Sequence, residues 1–250
     1  MSDAVTLAIH GAVARLTFNR PHVLNAGDPA FVADLNRACD TLAAERQVRV
    51  VVMSGAGRAF QTGVDLNALA RGELALEHLV RWEDAMTAIE RMDKVFIAAI
   101  NGHAIGGGLQ LALVCDYRIA SDDARLGLPA VKECLVPSMA LYRLPRLIGL
   151  GRAQDLILTG RLIDATEAER FGLVNRVVPA ASFAGAIEET IEMFLALPAV
   201  SVGVSKRLTP RAFDVPFDEF RARMEAGLHD CLESDEHRAA MAAFRSGRRT

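Results

Sequence analysis

Val95–Ala120, VFIAAINGHAIGGGLQLALVCDYRIA, decides the fold of this chain. Val95 to Ile100 is an unbroken apolar run of strand length, as expected of a strand buried on both faces. A glycine-rich turn follows, and the apolar stretch from Gly106 to Cys115 predicts a helix entered directly from it. Asp116 to Ala120 then reads as a further strand. Strand, helix and strand in close succession imply a parallel sheet covered by helices.

The same alternation extends in both directions. Upstream, Val5–Ile9 and Val13–Phe18 alternate at period two around a turn at His10-Gly11-Ala12, which reads as a hairpin. Asp28-Pro29 opens a helix with apolar positions at Phe31, Val32, Leu35, Ala38 and Leu42, and Val48 to Met53 reads as a buried strand. After a glycine-rich loop from Ser54 to Gly63, a second amphipathic helix is predicted over Leu74 to Met92. Downstream, helices are expected over Gly151–Thr159 and Asp164–Phe171, with a closing strand from Leu173 to Val178 ended by Pro179. From Ala181 the pattern is helical. The whole reads as an α/β core over residues 1–195 and a helical region over 196–250 that packs on the core or on a neighbouring subunit.

At 250 residues and 51% hydrophobic, the chain can bury a full core. A net charge of −3 lacks the basic excess that binding to a phosphate backbone needs, so no nucleic-acid partner is expected. The run Arg245-Ser246-Gly247-Arg248-Arg249 is a solvated tail or a contact for an anionic ligand. No leader pattern and no membrane-length apolar run are present, so a cytoplasmic location is expected, with no membrane partner. Cys39, Cys115, Cys134 and Cys231 show no metal or redox spacing, and neither disulfides nor a bound metal are expected.

The chemistry centres on Asn101-Gly102-His103-Ala104-Ile105-Gly106-Gly107-Gly108-Leu109-Gln110. Glycines at a helix start leave unpaired backbone N–H groups open to a developing negative oxygen. The same glycines also suit tight helix–sheet packing. Their spacing does not match the dinucleotide fingerprint, so no nicotinamide cofactor is expected. A second loop, Gly57-Arg58-Ala59-Phe60-Gln61-Thr62-Gly63-Val64-Asp65-Leu66, has small residues around Val64 and could point another N–H at the same oxygen.

Taken together, Asn19-Arg20-Pro21-x-x-x-Asn25-Ala26, Gly57-Arg58-Ala59-Phe60-x-x-Gly63-x-Asp65-Leu66 and the glycine turn occur in the order and spacing of the crotonase family. The chain resembles its enoyl-CoA hydratases and isomerases almost end to end, through Cys115–Ala120, Gly160–Ala168 and Gly172–Val178. That resemblance implies a crotonase-type spiral of ββα units with a helical C-terminal region for trimerisation, in a homotrimer or dimer of trimers. It implies an acyl-CoA thioester as the partner, with coenzyme A entering as part of the substrate and no separate cofactor. It further implies that the amides of Val64 and Gly107 hold the enolate oxygen. Arg20, Val23, Leu24 and Ala26 would line the CoA pocket with Thr62, Asp65, Leu66, Gly106 and Ala130, and Phe244-Arg245 and Arg248-Arg249 would cap its adenine end.

One departure matters. The family's hydratases use two glutamates, and this chain carries Gln110 and Ala130 at those positions. Gln110 keeps the hydrogen-bonding capacity of glutamate but cannot take a proton near neutral pH. Ordinary hydration is therefore expected to be weak. Ser138 stands where some relatives place aspartate or tyrosine; it could orient water, or cap a helix from Met139 to Leu144. His103 is expected to face packing, Asp65 to fix its loop, and Lys132 and Glu133 to be solvated, with Tyr142 lying nearby. A divergent acyl-CoA-binding relative without chemistry, or a thioesterase or transferase using the same hole, are the other readings.

Overall fold

The computed structural model describes residues 3–246, so Arg248 and Arg249 lie outside the described residues. Four ββα-type turns build the core. The first is β1 (Val5–His10), β2 (Val13–Phe18) and α1 (Pro29–Ala44); the second is β3 (Val50–Gly55), β4 (Ala59–Gln61), α2 (Leu66–Ala70) and α3 (Leu76–Arg91). The third is β5 (Val95–Ile100), β6 (His103–Ile105) and α4 (Gly107–Leu113). The fourth is β7 (Tyr117–Ser121), β8 (Arg125–Gly127), α5 (Ala140–Ile148) and α6 (Leu150–Thr159). There follow β9 (Leu162–Asp164), α7 (Ala165–Arg170), β10 (Arg176–Val178), α8 (Phe183–Leu195), α9 (Ala199–Leu208), α10 (Phe217–Glu233) and α11 (Asp235–Arg245).

Two sheets result, because each of the middle turns gives one strand to each. The larger has the order β1-β2-β3-β5-β7-β10, with β1 antiparallel and the others parallel; the smaller has the order β4-β6-β8-β9. The unbroken apolar runs of β3 and β5 are explained by burial on both faces. Val51, Met53, Phe96 and Ala98 enter the main core beneath α1, α3 and α4, while Val50, Val52, Val95 and Ile97 face a second core closed by Ile187 and Ile191 of α8. Within the main core Phe18 lies 5.6 Å from Phe31 and 5.2 Å from Phe60, and Phe31 lies 5.0 Å from Trp82.

Several expected boundaries shift. The closing strand is β10 alone, since Asn175 interrupts the ladder: its amide donates to the Arg118 carbonyl while its side-chain oxygen accepts the Arg118 N–H. The helix expected from Leu74 starts at Leu76. Ahead of it stands α2, capped by Asp65, whose carboxylate accepts the amides of Asn67 and Ala68. The three-residue strands of the smaller sheet are too short to show a period.

The expected boundary at residue 195 falls at the end of α8, and the helices beyond it are tied back to the core. Lys206 Nζ donates to the carbonyls of Ile89 and Lys94 and to Asp116 Oδ2 at 2.8 Å. Glu236 of α11 accepts the amides of Ala199 and Val200, so one carboxylate caps α9 from a different helix. Among the described residues no helix is long and apolar enough to cross a membrane.

Candidate active site

Three loops that follow strands of the smaller sheet meet at one cleft. They are residues 62–64 after β4, residues 106–107 after β6, and the segment running from the 3-10 turn Pro129–Glu133 to Ser138 after β8. Leu79, Trp82 and Met86 of α3 complete the wall, and the cleft opens to solvent, with about 830 Å³ of space when the solvent at its mouth is counted in.

The three consecutive glycines divide the labour. Gly108 is a packing residue, since a Cβ there would stand 1.9 Å from the Gln61 carbonyl oxygen. Gly106 turns the chain into α4 at φ +57° and ψ −119°, a conformation that side chains resist. Gly107 is left with an amide that no acceptor among the described residues takes, and the Val64 amide is equally free. Three of the amides beside them are engaged: Gly63 donates to Gln61 Oε1 at 2.6 Å, Asp65 to Gly27 at 2.8 Å, and Gly106 to Gly127 at 2.9 Å.

The two loops are close because both edges lack side chains. A Cβ on Gly63, which sits at φ +88°, would lie 3.1 Å from the Gly107 nitrogen. A bulge between β4 and β6, where Ala59 opposes His103 and Gln61 opposes Ala104, sets the exit of the first loop. Buried amides then hold it. Gln61 grips Gly63 at both N–H and carbonyl, and Asn25 donates to the carbonyls of Ala56, Ala59 and Phe60. Asn101 bonds Gly55 through both of its amide atoms and also reaches Gly57.

Of the expected site residues, Thr62, Val64, Leu66, Gly106, Gly107, Gln110, Ala130 and Ser138 share the cleft lining. Arg20, Val23, Leu24, Ala26 and Asp65 are not in that lining. The Arg20 guanidinium is instead committed to Asp28 at 2.9 Å and the Ala26 carbonyl in its own loop and to Asp65, the cap of α2, at 3.4 Å. Thr62 uses its hydroxyl on the Leu24 carbonyl at 3.0 Å, which joins the loop of Arg20 to the cleft.

Gln110 lies three residues after Gly107 in α4, hence on the same helix face. Only 7% exposed, its side-chain oxygen has no partner, and neither has the indole N–H of Trp82, which is 3% exposed and lines the same cleft. Ser138 is exposed at φ +39°, and the expected cap is not made: Met139 precedes α5, and no side chain caps that helix. His103 on β6 is not in the cleft lining. Tyr142 turns away and donates to Asp214. Glu133, expected to be a solvated surface charge, is exposed but borders the cleft, and it makes no hydrogen bond or ion pair among the described residues. Gln61 and Trp82 were not singled out from the sequence, because a buried amide or indole in an apolar stretch has no pattern of its own, and Asn25 stood there only as a motif position without a role.

The family model for enoyl-CoA hydratase/isomerase matches residues 8–249. A probable enoyl-CoA hydratase of Mycobacterium bovis is 33% identical over 233 residues, covering 93% of this chain and 91% of that protein. The crystal structure of an enoyl-CoA hydratase of Mycobacterium smegmatis superposes with a TM-score of 0.93 at 30% identity, over 99% of this chain and 98% of that one. A putative enoyl-CoA hydratase of Thermobifida fusca, solved in complex with acetoacetyl-CoA, gives 0.85 at 34% identity over 92% and 95%.

Proposed function

Since the chain belongs to the enoyl-CoA hydratase/isomerase family and is an acyl-CoA enzyme of that type, we propose that it stabilises the enolate form of an acyl thioester, holding the oxygen between the Val64 and Gly107 amides. The observation that carries this reading is the pair of free N–H groups on adjoining loops of one cleft, with the amides of Gly63, Asp65 and Gly106 around them engaged. Preorganised donors of this kind contribute about 10²–10³ in rate each where measured. Thr62, Leu66, Gly106 and Ala130 would then border the acyl and pantetheine chain, with coenzyme A as part of the substrate. Arg20 and Asp65 would serve the same site by fixing its loops.

Water addition is the family reaction this cleft supports least. Gln110 and Ala130 supply no carboxylate, and positioned acid–base groups typically contribute about 10²–10⁴. The same absence favours, as a second reading, a divergent acyl-CoA-binding relative. Crotonyl-CoA hydration by the wild type, measured beside the Gln110→Glu, Ala130→Glu double variant, tests the main reading. The expected outcome is a slow wild type accelerated by at least about tenfold in the double variant. A wild type whose hydration falls when the two carboxylates are added would overturn it, and failure to bind any acyl-CoA by calorimetry would remove the substrate assignment.

Exposed apolar side chains on the C-terminal helices, Phe217, Leu228 and Leu232 among them, support a homotrimer or dimer of trimers. Four unpaired cysteines, Cys39 and Cys115 of them buried, support a cytoplasmic location.

A further inference from the structure

We propose that Glu133 is the proton-transferring residue of this cleft, in place of the two carboxylates the chain lacks. The inference rests on the acyl-CoA reading above and goes beyond it by naming the base and the reaction it allows. An enolate cannot form without a group that accepts the proton from the carbon beside the thioester carbonyl. Among the described side chains that line the cleft, Glu133 is the only carboxylate, and none is an imidazole or an amine. Gln110 is an amide, Ser138 has no histidine in the lining to activate it, and Trp82 only donates. Glu133 is also uncommitted. Its carboxylate has no cation or donor among the described residues, in contrast to Asp65, whose carboxylate caps α2 and pairs with Arg20. It ends the turn Pro129–Glu133 that also carries Ala130, so backbone already anchored beside the cleft positions it.

One carboxylate with two free amides suits a double-bond shift better than addition of water. With the thioester oxygen at the Val64 and Gly107 amides, Glu133 takes a proton from C2 of a 3-enoyl thioester. The C–H electron pair becomes the C1–C2 double bond of a dienolate, and the carbonyl π pair moves onto oxygen. The same carboxyl then returns the proton to C4. The C3–C4 π pair forms that new bond, the double bond settles between C2 and C3, and the carbonyl is restored. Nothing is consumed and no water enters, so no second group is needed to orient one.

The test uses the full-length protein and its Glu133→Gln and Glu133→Asp variants, with 3-hexenoyl-CoA as substrate and butyryl-CoA as a saturated ligand that has no double bond to shift. Conversion to 2-hexenoyl-CoA, exchange of the butyryl C2 hydrogens with deuterium oxide, and calorimetric affinity for butyryl-CoA are measured. The expected result is a loss of about 10²-fold or more in conversion and exchange for Glu133→Gln, with affinity within about threefold of wild type. Partial recovery is expected in Glu133→Asp, with a carboxylate limb in the pH profile that the glutamine variant lacks. Glu133→Gln converting and exchanging within about threefold of wild type overturns the assignment while leaving the acyl-CoA reading intact. So does a wild type that binds butyryl-CoA yet neither exchanges nor isomerises. A wild type that binds no acyl-CoA overturns both.

Discussion

Single glycines in this chain have separable costs. At Gly108 a methyl group would meet backbone, the Gln61 carbonyl at 1.9 Å, and that residue also holds Gly63 beside Val64. Gly108→Ala is therefore expected to lose about 3 kcal/mol or more in urea unfolding, the upper end of the usual overpacking range. Gly185 inside α8 has nothing within 4 Å of such a methyl, so Gly185→Ala is expected to gain up to about 1 kcal/mol in the same measurement. The triple glycine was legible in the sequence as either packing or donor chemistry, and the structure gives tight packing to Gly108 and an unengaged amide to Gly107. Gln61 was not legible in this way, because its role depends on a bulge between two three-residue strands far apart in sequence. Glu133 was visible as a charge close to Ala130, but only the path of the turn brings it to the cleft.

Among the elements, the long ones announced themselves. The hairpin β1–β2 shows its period of two, α1 and α3 show helical spacing, and β3 and β5 show continuous burial. Strands β4, β6, β8 and β9 did not, since three residues give one and a half periods and their partners come from other turns of the spiral. The C-terminal helices depend on tertiary caps that sequence spacing does not reveal. The amides of Val200 and Ala199 hold the Glu236 carboxyl below the usual carboxylate range. A carboxyl lowered in the folded state stabilises fully above its unfolded pKa, about 4.3. That contribution is lost as pH falls through the lower folded value. Glu236→Gln should thus cost about 1 kcal/mol at pH 7, a typical cap, and the difference from wild type should shrink as pH falls below about 4. Urea unfolding at a series of pH values measures this, and a difference that grows on acidification would contradict it.

At the scale of the whole molecule, α10 and α11 carry more apolar surface than a monomer needs. Phe217 is 77% exposed and Leu228 53%, one face of α10 apart by three turns. Charging that face by Phe217→Glu with Leu228→Glu is expected to shift sedimentation from an assembled species to a monomer. A wild type that sediments as a monomer at micromolar concentration would refute the assembly. The spiral was expected from the resemblance alone, the strand–helix alternation having predicted a parallel sheet covered by helices, whereas the division into two sheets required the short strands.

That division has a consequence for the size of the guest. Val64 and Gly107 each follow a strand of the smaller sheet, and those strands, β4 and β6, are immediate parallel neighbours. The two loops are thus carried on strands spaced by the lattice constant of a β-sheet, about 4.8 Å. Two N–H···O contacts of about 2.9 Å that converge across such a gap subtend about 110° at the shared atom, close to the divergence of the lone pairs on one sp² oxygen. Water or a carbonyl oxygen fits that ruler. Side chains around the cleft can be exchanged without moving the strands that carry the two amides.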